Sequence, residues 1–180
     1  MEIYAPDTNF FLQCQPADQI NWKLVTSEQE VVLLVVREVR KDLDRLKSGG
    51  NQRRSKRARA ASAILRRLTS EGLMEIELRK AAPRVVLRVA PRPPIEALPS
   101  DYRIESADER IVAEAYATRD MVDGQITFLS HDTVPLEDAM GLGLRTQVVP
   151  EAWLLAPEPS EVERELNDVK RRMKALEGRS

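Results

Sequence analysis

The sequence is poor in residue types that several classes of protein require. Cys14 is the only cysteine among the 180 residues, so the chain forms no internal disulfide and offers no set of thiolates for zinc. Aromatic residues make up only 4% of the chain, so aliphatic packing must form most of the core. These shortages exclude a disulfide-rich scaffold and a cysteine-based metal site.

No segment has the character of a membrane anchor. The most apolar run, Val31 to Val36, is far too short to cross a bilayer. The N-terminus shows neither the basic region nor the long apolar stretch of a secretory signal. We therefore expect a soluble, cytoplasmic protein that has no contact with a membrane.

Charge is unevenly distributed along the chain. The formal net charge is only -1, but basic residues far outnumber acidic ones between positions 40 and 92, and the remainder is acidic. This asymmetry is compatible with a polyanionic partner, and also with a balanced, solvated surface. Hydrophobic residues make up 42% of the chain, which suffices for one α/β domain over residues 1–156.

Hydrophobic patterning predicts strands that alternate with helices. Ser27 and Glu30 are spaced like a helix-capping box, but the continuous β-branched run that follows favours a strand buried on both faces of a parallel sheet. A short helix is expected after Pro16. The predicted strands cover residues 2–5, 31–36, 74–78, 85–89, 126–129 and 148–149, and the main predicted helices cover 37–47, 53–68, 106–116 and 134–140.

A different pattern follows residue 157 and predicts a C-terminal helical extension over residues 157–180. Its apolar residues recur at alternating steps of four and three, which is the spacing of a seam that packs on another helix. Docking of this seam on the chain's own domain is favoured, because two to three heptads are marginal alone. A homodimer or a protein partner is the alternative. The seam residues are Val162, Leu166, Val169, Met173 and Leu176.

Four acidic residues fall at predicted strand ends or helix starts. Parallel strands bring their carboxyl ends to one edge of a sheet, so these acids are expected to converge. Two carboxylates about 4 Å apart repel by about 4 kcal/mol at an effective dielectric near 20, and a cation offsets that cost. Oxygen ligands without cysteine or paired histidines indicate Mg²⁺ or Mn²⁺. Each acid taken alone is more simply a helix cap. The four are Asp7, Glu38, Asp108 and Asp132.

Four short segments of the chain surround these acids. They are Asp7-Thr8-Asn9, Arg37-Glu38-Val39 with Leu43-Asp44-Arg45-Leu46-Lys47, Asp108-Glu109-Arg110-Ile111-Val112-Ala113, and Phe128-Leu129-Ser130-His131-Asp132. In this order they resemble the acidic motifs of PIN-domain nucleases, over about residues 2 to 150. The resemblance implies a three-layer α/β/α sandwich around a central parallel sheet, and cleavage of single-stranded or structured RNA that depends on Mg²⁺ or Mn²⁺.

The same resemblance assigns roles to individual side chains. The acidic side chain of each motif would bind the metal and act in catalysis, while Asn9 would brace the Asp7 loop and Ser130 would hydrogen-bond beside the metal. The resemblance thus implies a catalytic and metal-binding set of Asp7, Glu38, Asp108 and Asp132.

A basic insertion at about residues 48–68 adds a candidate surface for nucleic acid. Its cations crowd a short stretch after two glycines, where they would bind phosphate groups or form a solvated helix face. Beside an acidic metal site, phosphate binding is the favoured interpretation. The candidate residues are Arg53, Arg54, Lys56, Arg57 and Arg59.

Two rival functions follow from the same residues. A haloacid-dehalogenase-like phosphatase also begins with an aspartate after its first strand, but it requires a second aspartate two positions later, where this chain has Asn9. A PIN-like module that has lost activity, and that binds RNA or a protein partner without cleavage, is the alternative that stays open.

Overall fold

A six-stranded sheet forms the centre of the computed structural model, which describes residues 1–100 and 104–179. The strands are β1 (Glu2–Pro6), β2 (Glu30–Val35), β3 (Glu75–Arg79), β4 (Arg84–Val89), β5 (Ile126–Ser130) and β6 (Arg145–Val148). Their order across the sheet is β3-β4-β2-β1-β5-β6, and all neighbours are parallel except β3 and β4. The carboxyl ends of β4, β2, β1 and β5 therefore meet at one edge, where ligands gather in open α/β sheets.

Helices flank this sheet, and the predicted α/β class is confirmed. Helix α2 packs against α3 and α4, and α4 packs against α5. No helix in the described ranges is long and apolar enough to cross a membrane. The helices are α1 (Thr8–Gln13), α2 (Arg37–Leu46), α3 (Gln52–Ser70), α4 (Ala107–Thr118), α5 (Thr133–Gly141) and α6 (Glu161–Glu177).

Strand β2 confirms that the apolar run after Ser27 is a strand and not the start of a helix. It lies between β1 and β4, and the side chains from Val31 to Val36 are at most 1% exposed. A strand with parallel neighbours on both sides and helices over the sheet has no solvent face, which explains why its sequence lacks alternation.

Strand β3 forms an antiparallel edge of the otherwise parallel sheet. It pairs with β4, and the two correspond to the strands predicted over residues 74–78 and 85–89. Cross-strand ion pairs link Arg84 to Glu77 at 2.6 Å and Arg88 to Glu75 at 2.8 Å. Charged side chains on an edge strand discourage pairing with another chain.

The helix predicted for residues 16–25 is wrong. This segment contains a turn and a short 3₁₀ helix at Trp22–Leu24. The Trp22 side chain is fully buried, its indole N–H donates to the Ala17 carbonyl at 2.9 Å, and its ring lies 4.8 Å from that of Trp153. The segment therefore follows the path that buries the Trp22 indole and gives its N–H an acceptor.

Helix α6 forms as predicted, but it does not dock on the domain. Ser160 and Glu163 form a complete capping box at its start. However, the seam of Val162, Leu166, Val169, Met173 and Leu176 is 50% to 74% exposed, and no residue of the helix is buried. The expectation of docking within the chain is therefore wrong, because the apolar face of the helix stays exposed.

A candidate carboxylate site at the sheet edge

The parallel pairing of β1 with β5 places Asp7 beside Ser130. The Asp7 amide donates to the Leu129 carbonyl at 3.1 Å, which continues the pairing beyond the end of β1. The Asp7 side chain is only 2% exposed. Its Oδ1 accepts the Phe10 amide at 3.0 Å and so caps α1, while its Oδ2 accepts the Ser130 hydroxyl at 2.6 Å.

Asp132 joins the same hydrogen-bonded network. Its amide donates to Ser130 Oγ at 3.0 Å, and its Oδ2 accepts the Asn9 side-chain amide at 2.7 Å. Ser130 therefore contacts both aspartates. Asn9, which was predicted to brace the Asp7 loop, orients the Asp132 carboxylate directly.

The charges of several carboxylates act on one another at this site. Burial raises the pKa of Asp7 to about 6, against the lowering effect of its hydrogen bonds to Ser130 and Phe10, and the charges of Asp132 and Asp108 raise it further. Asp108 is exposed, yet partial desolvation and then the charges of Asp132 and Asp42 raise its pKa as well. Asp7, Asp108 and Asp132 therefore repel one another at one edge of the sheet.

Asp42 is the acid that the sequence analysis missed. Its Oδ2 accepts the Thr8 hydroxyl at 3.0 Å, its Oδ1 pairs with Arg45 at 3.0 Å, and its side chain is 14% exposed. It lies on α2 one turn after Glu38, on the same side of the helix. The recurrence of an acid four residues after Glu38 was the signal that could have found it.

Glu38 has a different electrostatic environment from the cluster. Its carboxylate pairs with Lys41 at 3.3 Å and with Arg110 at 3.5 Å. Its charge acts on the buried Glu114, whereas the acid of α2 that acts on Asp108 is Asp42. Glu38 thus already has two cationic partners, and its assignment as a metal ligand stays a prediction.

Glu114 is a second acid that was not anticipated, and it holds α2 in place. It is buried on α4, and its two carboxylate oxygens accept the amides of Arg37 at 2.8 Å and Glu38 at 3.3 Å. Helix α2 has Val36 at its N-cap position and no side-chain cap of its own. Glu114 therefore satisfies amides that would otherwise lack an acceptor. An acid within the apolar stretch from Ile111 to Ala117 was the available signal.

The donor set suits a hard divalent cation, although the side chains do not form a ready-made cage. Among the described residues, no group of three or more His, Cys, Asp or Glu side chains is arranged to hold a metal ion. The converging groups are nevertheless all carboxylates, which are the ligands of Mg²⁺ and Mn²⁺. Burial and mutual repulsion raise the pKa values of Asp7 and Asp108, and a cation would relieve that repulsion.

The predicted nucleic-acid residues of α3 divide into two groups. Arg57 donates to the Cys14 carbonyl at 2.9 Å, and Arg59 donates to the Lys47 carbonyl at 3.1 Å, so both support the main chain. Arg54 and Lys56 are exposed, and Arg53 donates to the Ala156 carbonyl at 2.6 Å.

A cavity connects this basic helix with the carboxylate site. It has a volume of about 480 Å³, and Arg53 and Arg54 line it together with Asn9 and His131. Asn9 also holds the Asp132 carboxylate. The N-terminal end of α3 therefore lies next to the acidic cluster, across a space that solvent reaches.

Comparison with known proteins identifies the family. Residues 4–149 match the PIN domain family, and the chain belongs to this family. No curated protein matches the sequence significantly. A solved structure of similar fold is a domain of a functionally unknown protein from Methanocaldococcus jannaschii DSM 2661. It is 13% identical with a TM-score of 0.49, and the alignment covers 89% of this chain and 97% of that one.

Replacing Asp7 by Asn should change how stability depends on pH. Because the folded pKa of about 6 lies above the ordinary value of 3.8, the ionised carboxylate destabilises the fold. The wild type should lose about 3 kcal/mol of unfolding free energy as the pH rises from about 4 to 7.5. Asp7→Asn should not lose this amount, because an amide does not ionise. Urea denaturation in EDTA at several pH values measures the difference.

Asp123→Asn is the control for this experiment, since Asp123 is exposed in a loop and outside the cluster. Its pH profile should follow that of the wild type. Parallel profiles for the wild type and Asp7→Asn would contradict the repulsive environment assigned to Asp7.

Replacing Glu114 by Gln should destabilise the fold. A glutamine has one acceptor oxygen, so one of the two amides at the start of α2 would lose its partner, at a cost of roughly 1–3 kcal/mol. Chemical denaturation at neutral pH provides the measurement. Glu137→Gln, an exposed position on α5, removes the same charge and should leave the midpoint unchanged. Equal midpoints for the two variants would show that Glu114 does not cap α2.

Proposed function

We propose that the protein is a metal-dependent ribonuclease that hydrolyses phosphodiester bonds in RNA. The observation that carries this proposal is the convergence of Asp7, Asp108 and Asp132 at the carboxyl edge of the sheet, where burial and repulsion raise two of their pKa values. Membership of the PIN domain family supports a nuclease-type function.

Asp7, Asp108 and Asp132 would hold Mg²⁺ or Mn²⁺, with Asp42 or Glu38 as the acid from α2. When bound, such an ion lowers the pKa of water to give a hydroxide nucleophile and neutralises charge on the phosphoryl oxygens. The protein's part is to hold the carboxylates in place. Ser130 fixes Asp7 through its hydroxyl, and Asn9 fixes Asp132 through its amide.

The cavity beside the cluster gives RNA a route to the carboxylates. Arg54 and Lys56 are exposed on the first turns of α3, and Arg53 and Arg54 line the cavity that reaches Asn9. Cations at this position would bind the backbone phosphates of an RNA strand. Binding through phosphates positions a strand without selecting its sequence.

Paired substitutions on α2 test this function and identify the fourth acid. The substrate is end-labelled RNA with Mg²⁺ or Mn²⁺, and EDTA should abolish its cleavage. Asp7→Asn and Asp132→Asn should each lower kcat/KM by on the order of 100-fold or more, because each removes a charge that holds the metal. Asp42→Asn should cause a similar loss, and Glu38→Gln a much smaller one, because Lys41 and Arg110 already neutralise Glu38.

The same assay separates a nuclease from a module that only binds. RNA binding without metal-dependent cleavage, unchanged in Asp7→Asn and Asp132→Asn, would reject the nuclease and support an RNA-binding module. A larger loss in Glu38→Gln than in Asp42→Asn would restore the ligand set that the sequence predicted.

We also propose that α6 joins two copies of the chain. The exposed seam places Leu166 and Met173 at the a positions of a heptad, with Val162, Val169 and Leu176 at the d positions. In a parallel pair, Glu165 at g faces Lys170 at e of the second copy, so opposite charges meet beside the seam. The short helix predicts weak association.

Sedimentation velocity over a concentration series tests this association. Leu166→Asp should abolish it, because the substitution places a charge in the centre of the seam. Asn167→Asp, one residue further and outside the seam, adds the same charge and should leave association almost unchanged. A wild type that stays monomeric at the highest concentration, or equal behaviour of the two variants, would refute pairing through α6.

A further inference from the structure

A second cavity lies on the other side of α2 from the acids, between α2 and α3. It has a volume of about 420 Å³. Residues of α2 at positions 37, 40, 41 and 44 line it, and this spacing of three, one and three places them on one face of the helix. Residues 62, 65, 66 and 69 of α3 face them, and Val89 at the end of β4 closes one side. One border of the cavity therefore lies at the carboxyl edge of the sheet.

The lining of this cavity is strongly cationic. Five of its side chains are basic, and Asp44 is the one acid among the residues that line it. Lys47 pairs with Asp44 at 2.6 Å, and Lys41 pairs with Glu38 at 3.3 Å. The other three cations form no ion pair among the described residues, while the charge of Asp44 acts on Arg66 and that of Glu114 acts on Arg40. These three are Arg37, Arg40 and Arg66.

Arg40 is a cation of this lining whose hydrogen bonding and charge are only partly compensated. Its Nε has no acceptor within the described chain. Burial lowers the pKa of Arg40, and the charge of Glu114 opposes this effect without a hydrogen bond to the guanidinium. Phosphate oxygens are the acceptors that a guanidinium binds best, and they would contact the part of Arg40 that lines the cavity.

We propose that this cavity binds a backbone phosphate of the RNA, and this assignment rests on the proposed ribonuclease function. Helix α2 carries Asp42 on the side of the carboxylate cluster and Arg37, Arg40 and Lys41 on the side of the cavity. Asp42 and these cations therefore lie on different faces of the same helix. A strand whose scissile phosphate lies at the carboxylates would bring a neighbouring phosphate to Arg40 and Arg66.

The neighbouring arginines of α3 provide a matched pair for the test. Arg66 lines the cavity, whereas Arg67 is exposed on a different side of the helix, where it pairs with Glu71 at 3.7 Å. Arg66→Gln and Arg67→Gln therefore make the same chemical change one residue apart. The measurement is fluorescence anisotropy of a labelled single-stranded RNA in EDTA, titrated at several salt concentrations.

Arg66→Gln should weaken RNA binding by about three- to tenfold and flatten the slope of log K against log salt by about 0.7, the value for one phosphate contact with a single strand. Arg40→Gln should have the same effect, and Arg67→Gln should match the wild type. With Mn²⁺ present, Arg66→Gln should raise KM and leave kcat unchanged.

Equal affinities and salt slopes for Arg66→Gln, Arg40→Gln and Arg67→Gln would overturn the phosphate site, even if the wild type cleaves RNA. Conversely, a wild type that binds RNA through Arg66 but never cleaves it with Mn²⁺ would support the phosphate site and refute the nuclease. The binding titration and the cleavage assay thus separate the two failures.

Discussion

The repulsion between the buried Asp7 and the less buried carboxylates around it is the constraint on which the functional part of this structure depends. Parallel pairing of β1 with β5 forces Asp7 into the interior beside Ser130, where burial already disfavours its charge and Asp132 and Asp108 add to the cost. A fold under selection for stability alone would place an apolar residue here. Instead, hydrogen bonds from the Ser130 hydroxyl, the Asn9 side-chain amide and the Phe10 main-chain amide keep these acids oriented. Such an arrangement is costly to the folded state, and the cation of the proposed function would offset that cost.

Helix α2 has an acidic side chain on one side and basic side chains on another. One side presents Asp42 to Thr8 and to the carboxylate cluster, and the other presents Arg37 and Arg40 to the space beneath α3. The orientation of α2 is fixed from outside the helix, because Glu114 of α4 accepts its first amides. A rotation of α2 would therefore disturb both sides together, which makes Glu114 a structural link between the acids and the cations.

The sequence predicted what local patterns determine and missed what tertiary packing determines. The strand ends that carry Asp7 and Asp132, and the helix start that carries Asp108, follow from alternation, apolar runs and capping residues close by in the chain. Which of Glu38 and Asp42 lies closer to Thr8 depends on how far along α2 the α1 segment packs, and a sequence does not record that position. The exposed seam of α6 was misjudged for a related reason, since periodicity shows that a helix has an apolar face without showing what covers it. The short helix expected after Pro16 failed because burial of Trp22 outweighs local propensity.

The proposed RNA substrate is a polyanion, which the acidic cluster repels. The positions of the arginines bear on this repulsion. Fewer basic residues of α3 are available to a ligand than the sequence indicates, because Arg57 and Arg59 donate to main-chain carbonyls. Arg54 of α3 lines the cavity near Asn9, whereas Arg66 of α3 and Arg40 of α2 line the cavity between the two helices. Under the proposed function, the positive charge in these cavities would attract the RNA backbone and offset its repulsion by the carboxylates.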